Sequence, residues 1–263
     1  MPVLDKSASA PSRPATKTKK GSSQTMAGLR PEQVAFLGEY ADTSAGKSVF
    51  VRILCWPTIP AAWSMLAQSI DSLNKLRGEL PGSRIAPGAS WLQGVAPQLS
   101  TPLERESGAA ETTLATLIRR LPVRFAVAVV EHATGQTSGS DAIRHRSLFS
   151  GCLSAYGAFL KSSNQSACRV MIAPGPAPDD VQRQVYDELR PHLDNTDRLG
   201  ALELAFWPEA TLPLPLEVAQ LAAAAVGRHL QHPKQANPLF ETVRAHLAPP
   251  SRFHALSRKT RLK

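Results

Sequence analysis

In "SVFVRILCW", residues 48–56, Val49, Val51 and Ile53 alternate with Phe50, Arg52 and Leu54. A two-residue period rich in β-branched and aromatic types is that of a strand, whose side chains point alternately to its two faces. "VAFLGEYA" upstream has the same character, and the polar "DTSAGK" between them closes the two as a hairpin. From Ala61 to Leu80 the period lengthens. Trp63, Leu66, Ile70, Leu73 and Leu76 make one apolar stripe on a helix that Pro81 and Gly82 end. Residues 81–108 are dense in Pro, Gly and Ser and predict a long loop or excursion. The helical pattern "AAETTLATLIRRL" then leads into a strand, "RFAVAVVEH". Two helix–strand pairs follow, "IRHRSLFSGCLSAYGAFLKS" with "CRVMIA" and "DDVQRQVYDELRPHL" with "ALELAFW". "PLEVAQLAAAAVGRHLQ" and "NPLFETVRAHL" are the closing helices, and no internal repeat is visible. A hairpin, a helical insertion, a strand and then alternating helices and strands predict an α/β domain with a mixed sheet.

The hairpin bears on one motif. "ADTSAGKS", residues 41–48, satisfies the loose phosphate-loop pattern of a small residue, four arbitrary residues and Gly-Lys-Ser. Such a loop needs a helix N-terminus after the lysine, because free amide groups and the helix dipole hold the phosphate. Here a strand follows Lys47, so the match predicts a turn rather than a nucleotide site. Ser44 and Lys47 are likewise better read as turn residues than as a serine–lysine pair.

The chain has 263 residues, 43% of them hydrophobic, enough for one domain with a full core. No apolar run approaches the roughly 20 residues of a membrane-spanning helix, and no secretory signal opens the sequence. A soluble, cytoplasmic protein without a membrane partner is expected. The net charge is +9, but its location changes its meaning. Residues 1–30 carry six basic residues against Asp5, and residues 251–263 carry five basic residues and no acid. The intervening body has 19 basic and 20 acidic residues and is close to neutral. Both ends lack apolar periodicity and are expected to be disordered. The expected organisation is a basic tail over 1–30, a domain over 31–248 and a basic tail over 249–263. Such tails are either simply solvated or contact an anionic partner such as nucleic acid.

Cys55, Cys152 and Cys168 fall in apolar segments without metal-ligand spacing and read as reduced core thiols. Seven histidines are present, and none forms His-x-x-x-His on one helix. His229 and His232 can share a face, but at a helix end they also suit its free carbonyls.

The element order resembles the ribonuclease H-like fold, in which an antiparallel three-stranded start passes into alternating helices and parallel strands. "EYADTSAGKSVFV", the helical insertion after the hairpin and "LPLEVAQLAAAAVGRHL" further resemble the uncharacterised bacterial family called domain of unknown function 3800. The resemblance covers roughly residues 33–247 and implies a mixed sheet with flanking helices. It also implies carboxylates that hold two Mg²⁺ ions for phosphodiester cleavage. It asks for acids on the opening strand, after a later central strand and on the last helix. Asp42 matches the first, with Thr43 in place of the neighbouring glutamate and Ser44 retained, but Ala173 and Ala223 occupy the other two positions.

Among other acids, Glu131 ends its strand and could join Asp42 as a second catalytic and metal-binding carboxylate. Glu217 lies six residues before Ala223, about 120° around the helix, and suits the helix N-terminus. Asp179 and Asp180 suit capping of theirs. Glu39 alternates to the strand face opposite Asp42. The expected function is a catalytically degenerate ribonuclease H-like binding or regulatory module, linked to a mobile or phage-derived element and needing no cofactor. The alternative is an active nuclease that uses Mg²⁺ on Asp42 and Glu131.

Overall fold

The computed structural model describes residues 29–43, 47–78, 115–133, 141–165, 167–173, 180, 182–184, 187–188, 201–207, 212–248 and 254–255. Residues 1–28 of the tail expected over 1–30, most of the C-terminal tail, the excursion over 81–108, most of the helix expected in "DDVQRQVYDELRPHL", Ser44, Asp179 and His192 lie outside them.

The elements follow the alternation of the chain. A 3-10 turn, Pro31–Gln33, leads into β1, Val34–Asp42, and β2, Lys47–Pro57. Helix α1 spans Ala62–Gly78, and residues 115–119 are helical. They lead to β3, Val123–Ala133, α2, Asp141–Ser162, and β4, Ala167–Ile172. Strand β5, Ala201–Phe206, precedes α3, Leu214–Gln231, and α4, Pro238–Ala245. The sheet order is β5-β4-β1-β2-β3-β6. Strand β2 runs antiparallel to both of its neighbours, β1 and β3, whereas β4 runs parallel to β1 and β5 parallel to β4. The sheet is therefore mixed, with helices on both faces. No described helix is long and apolar enough to cross a membrane.

Strand alternation divides the core in two. Val49, Val51 and Ile53 of β2 and Val127 and Val129 of β3 face α1, α3 and α4. Leu54 and Trp56 of β2, with Ala35 and Leu37 of β1 and Val170 of β4, face α2. Each large apolar side chain so enclosed stabilises the fold by about 1.5–3 kcal/mol relative to exposure. Helix ends are closed by local chemistry. Asn164 takes the left-handed conformation (φ 54°) after α2, and the Gln165 amide donates to the Leu160 carbonyl at 2.8 Å. At α4 the Asn237 side chain accepts from the Phe240 amide at 2.9 Å and donates to the Ala225 carbonyl of α3 at 2.8 Å.

The alanine run of α3 has a visible purpose. Small side chains bring the helix so close to β1 that a Cβ at Gly38 would overlap the Ala219 carbonyl, and one at Gly227 would overlap the Tyr40 ring. One correction concerns the C-terminal stretch expected to be unfolded. His254–Ala255 forms β6, a two-residue strand that pairs with Ala128 and Val129 of β3.

Candidate functional site

Asp42 and Glu131 share a lateral row of the sheet. Asp42 pairs with Val49, and Val49 pairs with Glu131. All three therefore point to the α3 face, with one strand between the two acids and roughly 10 Å between their backbones. The Tyr40 hydroxyl lies 3.1 Å from Asp42 Oδ2 and 2.8 Å from Gln231 Oε1, and its single proton serves one acceptor at a time. Burial first, then the Asp42 charge and hydrogen bond, push the Tyr40 phenol up to about 12 against an opposing effect of Arg228. It stays protonated at neutral pH and works as a donor.

Lys47 ends the phosphate-loop pattern but stands on a strand. Its ammonium donates to the Leu230 carbonyl at 2.5 Å and reaches Glu131 Oε2 at 3.4 Å. A cation at the C-terminal carbonyls of α3 complements the negative end of the helix dipole. The lysine thus fastens hairpin to helix. Among the described residues, no group of three or more His, Cys, Asp or Glu comes together as a metal site.

Strand order puts the ligand crevice of this sheet elsewhere. In an open α/β sheet that crevice lies beyond the carboxyl ends of adjacent parallel strands, where the chain order reverses. Here the reversal falls between β1 and β4, and their ladder stops at Leu37 opposite Ile172. Ala173 follows the end of β4 and is buried, as is Ala223 on α3. Gly38 lies against Ala219, and the Glu39 amide, beyond the ladder with β4, donates to Gln220 Oε1 of α3 at 3.2 Å. Helix α3 therefore closes its side of the seam with small residues and one amide.

The α2 side of the same seam carries charge. Glu39 is opposite Arg52 in the register, and both side chains are enclosed, 6% and 1% exposed. Arg52 Nε and Nη2 each lie 2.5 Å from Glu39 Oε1. Nη2 also lies 2.8 Å from His145 Nδ1, and Nη1 donates to the His145 carbonyl at 3.3 Å. Arginine only donates, so Nδ1 is the acceptor and His145 is the neutral tautomer with its proton on Nε2. The Phe149 ring lies 5.7 Å from the guanidinium, and the Cys152 thiol donates to the Arg52 carbonyl at 3.3 Å. Alternation correctly sets Glu39 on the face opposite Asp42, and the parallel pairing of β4 with β1 as far as Leu37 places Glu39 just beyond the seam.

Glu217 is buried in the first turn of α3, and Asp180 is exposed. The His229 ring stacks on Phe240 with centroids 3.7 Å apart, which joins α3 to α4. Cys55, Cys152 and Cys168 are free and buried, and desolvation pushes Cys152 and Cys168 up to about 12 and Cys55 upward as well. None is a thiolate nucleophile at neutral pH.

A scan of protein-family models finds none that matches this chain, and a search of curated proteins finds no matching relative.

Proposed function

We propose that the chain is a divergent ribonuclease H-like domain that no longer cleaves phosphodiesters and serves as a binding or regulatory module, its basic tails contacting nucleic acid. The sheet supports the fold reading, with three antiparallel strands first and two parallel strands added on the other side of β1.

The observation that carries the loss of cleavage is the closed seam between β1 and β4. Two-cation hydrolysis needs several carboxylates around ions roughly 4 Å apart. Among the described residues, the seam offers Gly38, Ala173, the Gln220 amide and a Glu39 carboxylate already bound by Arg52. The Asp42–Glu131 pair does not fit such a site either. Val49 stands between them, and Lys47 holds Glu131. The donor set among the described residues therefore does not fit a pair of Mg²⁺ ions, and no catalytic step is assigned through them.

The test uses the full chain, Asp42→Ala, and a chain lacking residues 1–28 and 256–263, which retains β6. Each is incubated with labelled single- and double-stranded DNA and RNA, with Mg²⁺ or Mn²⁺. We expect no cleavage, together with binding that weakens steeply as salt rises and is lost with the tails. Cation-dependent cleavage that Asp42→Ala abolishes would replace this reading with the active nuclease. Tight, salt-insensitive binding by the tail-less chain would move the partner surface to the neutral body.

A further inference from the structure

Glu39 and Arg52 form a buried ion pair beside the seam between β1 and β4, where the strand order reverses. The pair is asymmetric. Both guanidinium contacts fall on Oε1, and Oε2 is buried without a hydrogen-bond partner. A carboxylate with an unused oxygen in a dry site is costly to keep ionised unless a cation compensates it. That cation here is part of the chain, held by strand β2, the His145 ring and carbonyl, and the Phe149 ring.

We propose that Arg52 is a built-in cation occupying a latent metal site, in which its guanidinium takes the place of a divalent ion on the Glu39 carboxylate. The atoms it contacts are the donors such an ion uses: Glu39 Oε1, the neutral His145 Nδ1 and the His145 carbonyl oxygen, with Oε2 in reserve. A set of carboxylate, imidazole and carbonyl donors suits Mn²⁺ better than Mg²⁺, which strongly prefers oxygen ligands and retains its water. Because Arg52 is fixed on a central strand and 1% exposed, it is a permanent occupant rather than a gate. This inference stands on the seam geometry and does not depend on the nuclease-like reading.

Truncating the occupant exposes the site. Full-length wild type, Arg52→Ala and the double variant Arg52→Ala/Glu39→Gln are melted with and without millimolar Mn²⁺ or methylguanidinium, against NaCl of matched ionic strength. Arg52→Ala is expected to gain on the order of 5 °C in Tm with either cation near saturation. Wild type and the double variant gain nothing beyond the salt control. An Arg52→Ala protein indifferent to both cations, or one that responds equally after Glu39→Gln, overturns the proposal.

If Arg52→Ala does not fold alone, it is refolded from urea in the presence of each cation. Recovery of its far-UV circular dichroism with Mn²⁺ or methylguanidinium, and not with NaCl, supports the site. Failure with both, while Arg52→Met/Glu39→Met folds without any cation, overturns it.

Discussion

Removing the guanidinium of Arg52 leaves the Glu39 carboxylate buried without its counter-charge, which makes this pair a sensitive polar contact in the core. Breaking one partner of a buried ion pair costs about 3–5 kcal/mol, whereas replacing both with apolar residues of similar volume is often neutral or stabilising. Arg52→Met and Glu39→Met should each lower the urea midpoint strongly, and the double variant should recover most of the loss. Equal and additive losses would show that the two residues act separately. At this scale the sequence is legible only in part. The alternation through Val49, Val51 and Ile53 settles which residues share a face, so Glu39 and Asp42 are separable by inspection. It does not reveal that β4 pairs with β1 as far as Leu37, and that long-range register sets Glu39, rather than Asp42, just beyond the seam.

Elements were legible wherever a period ran for several residues. The hairpin, α1, β3, α2, β4, β5, α3 and α4 all lie where the patterning places them, whereas Lys47, expected in the turn, is the first residue of β2. Strand β6 escaped because two residues carry no period and are defined only by their ladder to β3. Helix α4 carries a pH-dependent contact at its end. His246 Nδ1 lies 3.3 Å from the Val123 carbonyl, which only accepts, so that nitrogen bears a proton in the neutral ring. Burial, together with the nearby charges of Arg124 and Arg119, lowers its pKa below the ordinary 6.5 and outweighs the hydrogen bonds to the Val123 and Arg119 backbone. The unfolded chain therefore takes up this proton first as pH falls through about 6.5, and stability drops until the folded-state pKa is passed. Urea midpoints compared between wild type and His246→Gln across that window should converge as pH decreases. Parallel curves would remove His246 as the cause.

At the scale of the molecule, β1 is central, but the parts that enclose it are far apart in the chain. Its hairpin partner follows at once, β4 comes about 130 residues later, and Ala219 and Gln220 of α3 come about 180 residues later. During synthesis the valine stripe of β2 and β3 is made long before α3 exists to cover it. Contacts of such sequence separation slow folding and leave apolar surface exposed in the interim. A chain ending at Trp207 retains β1 to β5 yet lacks the α3 and α4 cover, so it should collect in the insoluble fraction or bind an apolar dye. Adding residues 208–248 as a separate peptide should restore solubility if that cover is what it lacks. The close seat of α3 on Gly38 thus also sets a schedule. The nascent domain depends on shelter from the time β3 emerges until its alanine helix arrives.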